Sequence, residues 1–404
     1  MATIISNFAQ LTMQVFNTPQ KVIITCNKRL SPALQQEVQS LGFTIKRAFA
    51  TGVELLADVN DCITLNLNLH CASQILYSIK SFEAHNPDEL YRQIKEIAWE
   101  EIIDFNGYFS VNSNVNNESI STPLFANLKV KDAIVDRIKE IKGIRPNSGP
   151  ELNKAVIHLY WQENEANIYL DTSGETLAKH GYRKHPGKAP MLEALAAGVV
   201  VATDWDKSSA FINPMCGSGT LAIEAALIAT NRKPGLYRMN YAFMHILGYD
   251  ELVFFAARRK LKDQIVKNVD LKIIASDISA DAIKIAQMNA KTAGVDQFIS
   301  FEVCDFEKTS VPHSPGVVIF NPEYGERLGI HTQLELTYKR MGDFMKKDCQ
   351  GYNGYVFTGN PDLAKKIGLR ASKKIEFYNG KLDCRLLCYE LYDGSRRKEK
   401  TGDD

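Results

Sequence analysis

The stretch FINPMCGSGT, residues 211–220, sets a glycine-rich turn between an apolar strand and a helix that begins near Leu221. Gly217 and Gly219 remove side chains where the backbone must turn sharply and where a ligand has to approach the main chain closely. The following helix, 221–230, aims its unpaired N–H groups back at the turn, an arrangement that suits a nucleotide-like ligand. Around this stretch, strand and helix alternate. Apolar segments at 210–213, 272–276, 299–303, 316–320, 354–357, 371–378 and 384–389 read as seven strands, with helices between most of them. That alternation predicts an α/β fold with a doubly wound, Rossmann-like sheet. Asn379-Gly380 joins the last two strands as a hairpin, so the sheet should finish antiparallel.

Four features fall at the carboxyl ends of successive predicted strands, the edge at which open α/β sheets bind ligands. The first is the turn at 213–220. The second is Asp277, closing IIASD, an acid able to bond both hydroxyls of a ribose. The third is Asp305 after FEVC, a carboxylate able to accept from an exocyclic adenine amine. The fourth is Asn321-Pro-Glu-Tyr-Gly-Glu-Arg-Leu328 after VVIF. Each alone also reads as a loop turn or a helix cap; their order on consecutive strands is what points to one binding edge. Spacing argues against a nicotinamide-dependent dehydrogenase. Gly219 to Asp277 far exceeds the ~20 residues of a dinucleotide fingerprint, because residues 231–269 form an insertion, and the turn lacks the third glycine.

At 404 residues the chain is long enough for two or three domains, and 45% apolar with 24% charged residues is the make-up of a soluble globular protein. No stretch approaches the ~20 apolar residues of a membrane span, and the first 20 residues lack the pattern of a signal peptide. A cytoplasmic protein is expected. The net charge of +1 neither supports nor excludes nucleic acid, since a local patch can hide in a neutral total. The eight cysteines, at 26, 62, 71, 216, 304, 349, 384 and 388, include no C-x-x-C pair and no neighbouring His. They read as buried thiols, with no metal site.

Before the basic segment 177–193 the pattern is α+β. Strand 21–26 is followed by a helix with Ser31 as N-cap and Pro32 in its first turn, two short strands at 43–46 and 53–57, and a helix at 61–70. A second unit has strands from 74 and at 108–115, a helix at 88–97, a polar loop at 112–121 and two closing strands at 155–161 and 166–170. Between them, helix 129–141 buries Val130, Ala133, Ile134, Ile138 and Ile141 at helical spacing. Its opposite face carries Lys129, Lys131, Arg137 and Lys139, with Lys142 and Arg145 just beyond. That face reads either as solvated surface or as a stripe that contacts phosphates.

The glycine turn N-P-M-C-G-S-G-T, the later acids and N-P-E-Y-G-E-R-L together resemble the signature of THUMP-containing, S-adenosylmethionine-dependent RNA methyltransferases. Gly181-Tyr-Arg183 through Ala189-Pro190 to Glu193 is similar to that family's linker into its catalytic domain, and Lys381-Leu-Asp-Cys-Arg-Leu386 also matches. Within the family the chain is most similar to bacterial 23S rRNA guanine-N2 methyltransferases. The resemblance spans nearly the whole chain. It implies an N-terminal ferredoxin-like domain over 1–65, a THUMP RNA-binding domain over 66–170, and a seven-stranded class I methyltransferase sheet over 171–394, with a disordered tail at 395–404. No second catalytic sheet follows Tyr392, which predicts a single methyltransferase domain.

The resemblance also implies a site. S-adenosylmethionine would be held by Arg183, Ala189, Glu193, Asn213, Pro214, Cys216, Gly217, Ser218, Gly219, Thr220, Asp277, Ile278, Asp305, Phe306 and Asn321. Cys216 and Cys304 would pack beside it. The Asn321 side-chain oxygen and the Pro322 carbonyl would accept the two protons of a flipped base's amine, with Tyr324 stacked on the base. RNA, as 23S rRNA or a ribosomal assembly intermediate, is the implied partner, met by Lys129, Lys131, Arg137, Lys139, Lys142 and Arg145. One position departs from the family tetrad N-P-P-Y: Glu323 stands where a second proline would stiffen the turn. A tetrad of this type accepts an adenine N6 amine as well as a guanine N2 amine, and a non-catalytic RNA-binding or ribosome-assembly factor is the reading from another class.

Overall fold

The glycine-rich stretch closes a fully buried strand, Ala210–Pro214, and enters the helix Thr220–Ala229, in a computed structural model that describes residues 18–120, 122–185, 187, 191–324 and 331–392. The chain divides into two units, 1–181 with 232–265 and 182–231 with 266–404. The tail at 395–404 lies outside the described residues.

The first unit carries one eight-stranded sheet. Its strands are β1 (Gln20–Cys26), β2 (Ile45–Phe49), β3 (Gly52–Ala57), β4 (Ala72–Glu83), β5 (Tyr108–Asn116), β6 (Asn147–Ser148), β7 (Ala155–Gln162) and β8 (Glu165–Asp171). They lie in the order β2-β3-β1-β4-β8-β7-β5-β6. At 12 residues, β4 is long enough to serve two groups of strands. Its first half pairs with β1 (Val22↔Tyr77) and its second with β8 (Phe82↔Ala166). The two α+β patterns read from the sequence therefore share one sheet through β4.

Among its described residues this stretch has the helices α1 (Ser31–Ser40), α2 (Val59–Asn68), α3 (Pro87–Lys95) and α4 (Pro123–Lys142). Asp58 caps α2 in a reciprocal box with Asp61, and Asn86 caps α3. Ser31 does not cap α1. It is the first helical residue, and its hydroxyl donates to the Gly52 carbonyl at 3.2 Å, tying the helix to β3. The polar run expected as a loop from 112 is strand as far as Asn116, because all of 109–116 pairs in parallel with 155–162 on β7. Backbone pairing there overrides side-chain polarity, and Asn112 Oδ1 meets His158 Nδ1 at 2.5 Å across the pair.

The insertion between the strands Ala210–Pro214 and Ile273–Asp277 belongs, over 232–265, to the first unit. Its helix, Glu251–Asp263, buries Phe254 against Tyr241 and Phe243, and the Phe243 amide donates to Thr172 at 3.1 Å. Arg238 donates to the carbonyls of Ser173, Glu175 and Thr176 at 3.2, 2.6 and 3.3 Å, holding the segment that leaves β8.

The second unit is a seven-stranded sheet: β9 (Ala210–Pro214), β10 (Ile273–Asp277), β11 (Ile299–Val303), β12 (Gly316–Phe320), β13 (Asn353–Thr358), β14 (Lys373–Asn379) and β15 (Leu382–Glu390). Their order is β11-β10-β9-β12-β13-β15-β14, with β9 to β13 parallel and β15 antiparallel to both neighbours. Asn379↔Leu382 closes the hairpin the sequence predicted. The helices are α5 (Glu193–Val201), α6 (Thr220–Ala229), α7 (Ala280–Ala293), α8 (His331–Asp348) and α9 (Pro361–Lys366). Helix α6 is apolar almost all round and almost wholly buried, as a helix without a polar face must be. Phe306, Phe320 and Phe344 meet edge to face in the core on the α8 side of the sheet. No cysteine is disulfide-bonded; six are buried, and Cys216 and Cys304 are partly exposed.

Candidate cofactor and base site

Register brings the predicted features to one edge of the second sheet. Asn213 and Pro214 lie level with Ala275 and Ser276, and Asp277 lies level with Val303, two residues before Asp305. Strand β12, which leads into Asn321, pairs with β9 on its other side. This is the split where the chain goes to β10 on one side and to β12 on the other, the switch point at which doubly wound sheets open a crevice.

The turn after β9 is fixed from both sides. The Cys216 amide donates to Ser276 at 2.9 Å, and the Gly217 amide donates to Asp277 Oδ2 at 3.0 Å. Gly217 and Gly219 have φ of 55° and 78°, the left-handed region that favours glycine. Their surroundings differ. A Cβ on Gly219 would stand 2.8 Å from that of Ala286, so this glycine allows α7 to pack; a Cβ on Gly217 would meet no atom of a described residue within 4 Å, so this one faces open space among them. Asn213 is buried and donates Nδ2 to the Ile319 carbonyl at 3.0 Å, while its Oδ1 is buried with no hydrogen-bond partner among the described residues. A buried acceptor without a donor is costly, and it marks a place where a ligand donor would be welcome. Burial raises the Cys216 thiol well above its ordinary range, so it is a neutral packing group.

Arg183, Glu193 and Thr220 come together on the linker side. The Arg183 guanidinium donates to the Met191 carbonyl and to Thr220 Oγ1 at 3.1 Å, and lies 3.5 Å from the Glu193 carboxylate. Ala189 lies outside the described residues. Ser218 is buried, with its hydroxyl 3.3 Å from that of Thr220. Asn289, which the sequence reading missed, ties the linker to the turn: it accepts from the His185 amide at 3.2 Å and donates to the His185 carbonyl at 2.9 Å and to that of Ser218 at 3.5 Å. Its signal was an amide on the apolar face of α7, in line with Ile283, Ala286 and Ala293.

The two acids after β10 and β11 are partly engaged. Asp277 accepts from the Ser279 amide at 2.9 Å as well as from Gly217, and keeps acceptor capacity for a ribose. Asp305 Oδ1 accepts from the Glu307 amide at 3.1 Å and from Arg340 at 2.8 Å. Burial alone would raise its pKa, but the Arg340 bond and the Glu307 amide outweigh it and hold the carboxyl below its ordinary range. Arg340, from α8, was not foreseen. Ile278 is exposed, whereas the Phe306 ring is buried in the core with Arg340 4.9 Å above it, so only the Phe306 backbone is available to a ligand.

After β12, the Tyr324 hydroxyl donates to Asn321 Oδ1 at 2.7 Å. The expected stacking residue therefore also touches the expected amine acceptor; a carbonyl oxygen has two lone pairs, so one remains for an amine. Pro322 is buried, and no described donor reaches its carbonyl. Residues 325–328 of this motif lie outside the described residues.

The model of the RMKL-like methyltransferase domain matches residues 180–387, that of the THUMP domain 84–171, and that of the RlmL ferredoxin-like domain 21–76. The chain belongs to the RMKL-like methyltransferase family. A protein of Syntrophotalea carbinolica named ribosomal RNA large subunit methyltransferase K/L is 34% identical over 386 residues, covering 93% of this chain and 54% of that one. The chain thus spans about half the length of the curated relatives it matches. Two solved structures superpose with a TM-score of 0.85. SMU.472 complexed with SAH is 25% identical over 94% of this chain and 100% of that one. A predicted N6-adenine-specific DNA methylase from Listeria monocytogenes is 29% identical over 95% and 98%.

On α4 of this family member the expected RNA-facing cations are largely paired. Lys129 meets Asp88 at 3.0 Å, Lys131 meets Asp132 at 3.3 Å, and Arg137 donates twice to Glu100, at 3.1 and 2.6 Å. Lys139 and Arg145 are exposed and form no ion pair with a described residue.

Proposed function

We propose that the chain binds S-adenosylmethionine at the β9–β12 edge and methylates the exocyclic N2 of a guanine in large-subunit ribosomal RNA, acting in the cytoplasm. One observation carries the reading. The Asn321–Tyr324 turn leaves β12 directly beside the strand whose end holds an unpartnered Asn213 oxygen and an open Gly217. Amine acceptors thus stand next to a cradle with room for a cofactor.

The donor set fits the group. Asn213 Oδ1 accepts from the cofactor's amino-acid end, the Gly217 turn admits its backbone, Asp277 takes the ribose hydroxyls, and Asp305 takes the adenine amine through the capacity that Arg340 leaves. Arg183, Ala189 and Glu193 cover it from the linker side, and Pro214, Ser218, Thr220, Ile278 and the Phe306 backbone complete the walls. The bound cofactor supplies an electrophilic methyl group on a sulfonium. Asn321 Oδ1 and the Pro322 carbonyl hold the two amine protons and so turn the nitrogen lone pair toward that group, while Tyr324 stacks on the flipped base.

The THUMP region and residues 21–76 present the RNA, with the boundaries near 65 and 170 as the working division. Lys139 and Arg145 are the first cations to offer a phosphate, since Lys129, Lys131 and Arg137 must first give up acidic partners. Lys142, at the end of the same helix, extends this surface. The Listeria neighbour's name supports an adenine-N6 alternative. Incubating the purified chain with S-adenosylmethionine and unmodified ribosomal RNA, then digesting to nucleosides, separates the two: N2-methylguanosine supports the proposal, and N6-methyladenosine alone overturns it.

A further inference from the structure

Proline at position 323 would fix one backbone angle of the tetrad turn; Glu323 leaves it to rotate. The second unit supplies restraints of another kind. Asn360 Nδ2 donates to the Tyr324 carbonyl at 3.0 Å, and the Tyr338 hydroxyl donates to the Glu323 carbonyl at 3.2 Å. Both donors are anchored. Asn360 Oδ1 accepts from the Asp362 and Leu363 amides at 3.1 and 3.0 Å, capping α9, and its own amide donates to Thr358 Oγ1 at 3.1 Å. Tyr338 is fully buried on α8, with its hydroxyl 2.9 Å from the same Thr358 oxygen. Gly359, between Thr358 and Asn360, passes beside the Tyr324 ring: a Cβ there would lie in van der Waals contact, 3.4 Å from Tyr324 Cδ2. Tyr338 on α8 and Asn360 at the start of α9, both tied to Thr358 at the end of β13, thus form a clamp on the carbonyls of Glu323 and Tyr324, which follow Asn321 and Pro322.

We propose that Asn360 and Tyr338 are positioning residues that hold the Asn321 oxygen and the Pro322 carbonyl at the separation a base amine needs, in place of the stiffness a second proline would give. The inference rests on the methyltransferase reading of this site. Neither residue touches substrate; each acts through a backbone carbonyl of the turn. Misplacing an acceptor by about 1 Å costs roughly 10²-fold in rate, so the effect falls on turnover. Binding of the cofactor, whose proposed contacts lie mainly on the β9–β11 side, is left alone.

The test uses Asn360→Asp, which keeps the helix cap and loses the donor to Tyr324, and Tyr338→Phe, which loses only a hydroxyl. In the ligand-free chain, hydrogen–deuterium exchange in a peptide covering 316–324 should speed up several-fold in both variants. Methyl transfer to ribosomal RNA should fall ~10- to 100-fold in kcat, with the cofactor dissociation constant within error of the parent. Adding Glu323→Pro to Asn360→Asp should restore most of kcat and slow the exchange again; the Glu323 amide makes no hydrogen bond with a described residue that proline would remove. Parental exchange and parental kcat in both single variants would overturn the clamp. A double variant no better than Asn360→Asp would overturn the claim that it replaces proline's stiffness. If the parent chain itself transfers no methyl group, the methyltransferase reading fails, while the exchange rates still decide the clamp.

Discussion

Gly217 combines a left-handed backbone, an amide given to Asp277 and a vacant side-chain direction. A side chain there adds about 1–3 kcal/mol of backbone strain and projects into the space assigned to the cofactor. Gly217→Val should therefore weaken S-adenosylmethionine binding by at least tenfold in calorimetry, with RNA binding by the first unit unchanged; parental cofactor affinity would remove the turn from the site. Gly219 predicts a different failure. Its missing Cβ makes room for Ala286, so Gly219→Ala should lower the melting temperature by displacing α7 and lose cofactor affinity only through that. Both glycines were legible in the sequence as turn residues, but which one faces a ligand and which faces a helix was not. That distinction depends on α7, which lies more than sixty residues away in the chain.

Elements account for most of what the sequence disclosed and most of what it hid. The strands of the second sheet were readable because each is a short apolar run closed by a turn residue, and the antiparallel ending followed from Asn379-Gly380. The loop read from 112 overlapped the strand read at 108–115, and backbone pairing of its polar residues makes it strand to Asn116, while Arg340, Asn289 and Asn360 were missed because their partners come from distant segments. The end of β8 holds a further such case. Asp171 is fully buried; desolvation raises its pKa to about 7, against the amides of Gly174 and Ser173, which pull it down. An acid whose pKa is higher folded than unfolded keeps its proton longer in the folded state. Stability from this group is thus full below about pH 4, falls as pH rises toward 7, and is flat above. Asp171→Asn should be more stable than the parent at pH 8 and close to it at pH 4 in thermal denaturation; a pH-independent difference would contradict the assignment. On α4, Arg137→Ala should destabilise the first unit by stranding Glu100, which is almost buried, whereas Lys139→Glu with Arg145→Glu should leave the melting temperature alone and weaken RNA binding. Equal effects of the two changes in a filter-binding assay would show that the ion pairs do not decide which cations meet RNA.

At the scale of the whole molecule, the insertion alters what a linear reading suggests. Residues 232–265 interrupt the methyltransferase sequence yet pack with the first unit, where Arg238 holds the strand-to-linker segment by three carbonyls. The first unit is therefore built from two stretches of chain, and a fragment ending at Gly181 would lack Tyr241, Phe243 and Phe254, which pack together within it. Nothing in the period or composition of the insertion indicates which unit it joins; contacts such as those of Phe243 with Thr172, of Leu247 with Ile102 and of Arg238 with Ser173 do so. The chemistry proposed for the β9–β12 edge joins its two halves: acceptors at Asn321 and Pro322 present an exocyclic base amine to a methyl donor held at the Gly217 turn. Nucleoside mass spectrometry after incubating the intact chain, or its Asn321→Ala variant, with S-adenosylmethionine and unmodified large-subunit ribosomal RNA tests that directly. N2-methylguanosine formed by the parent and lost by at least 10²-fold in the variant is the predicted result. No methylated nucleoside from the parent, or equal yield from the variant, would contradict it.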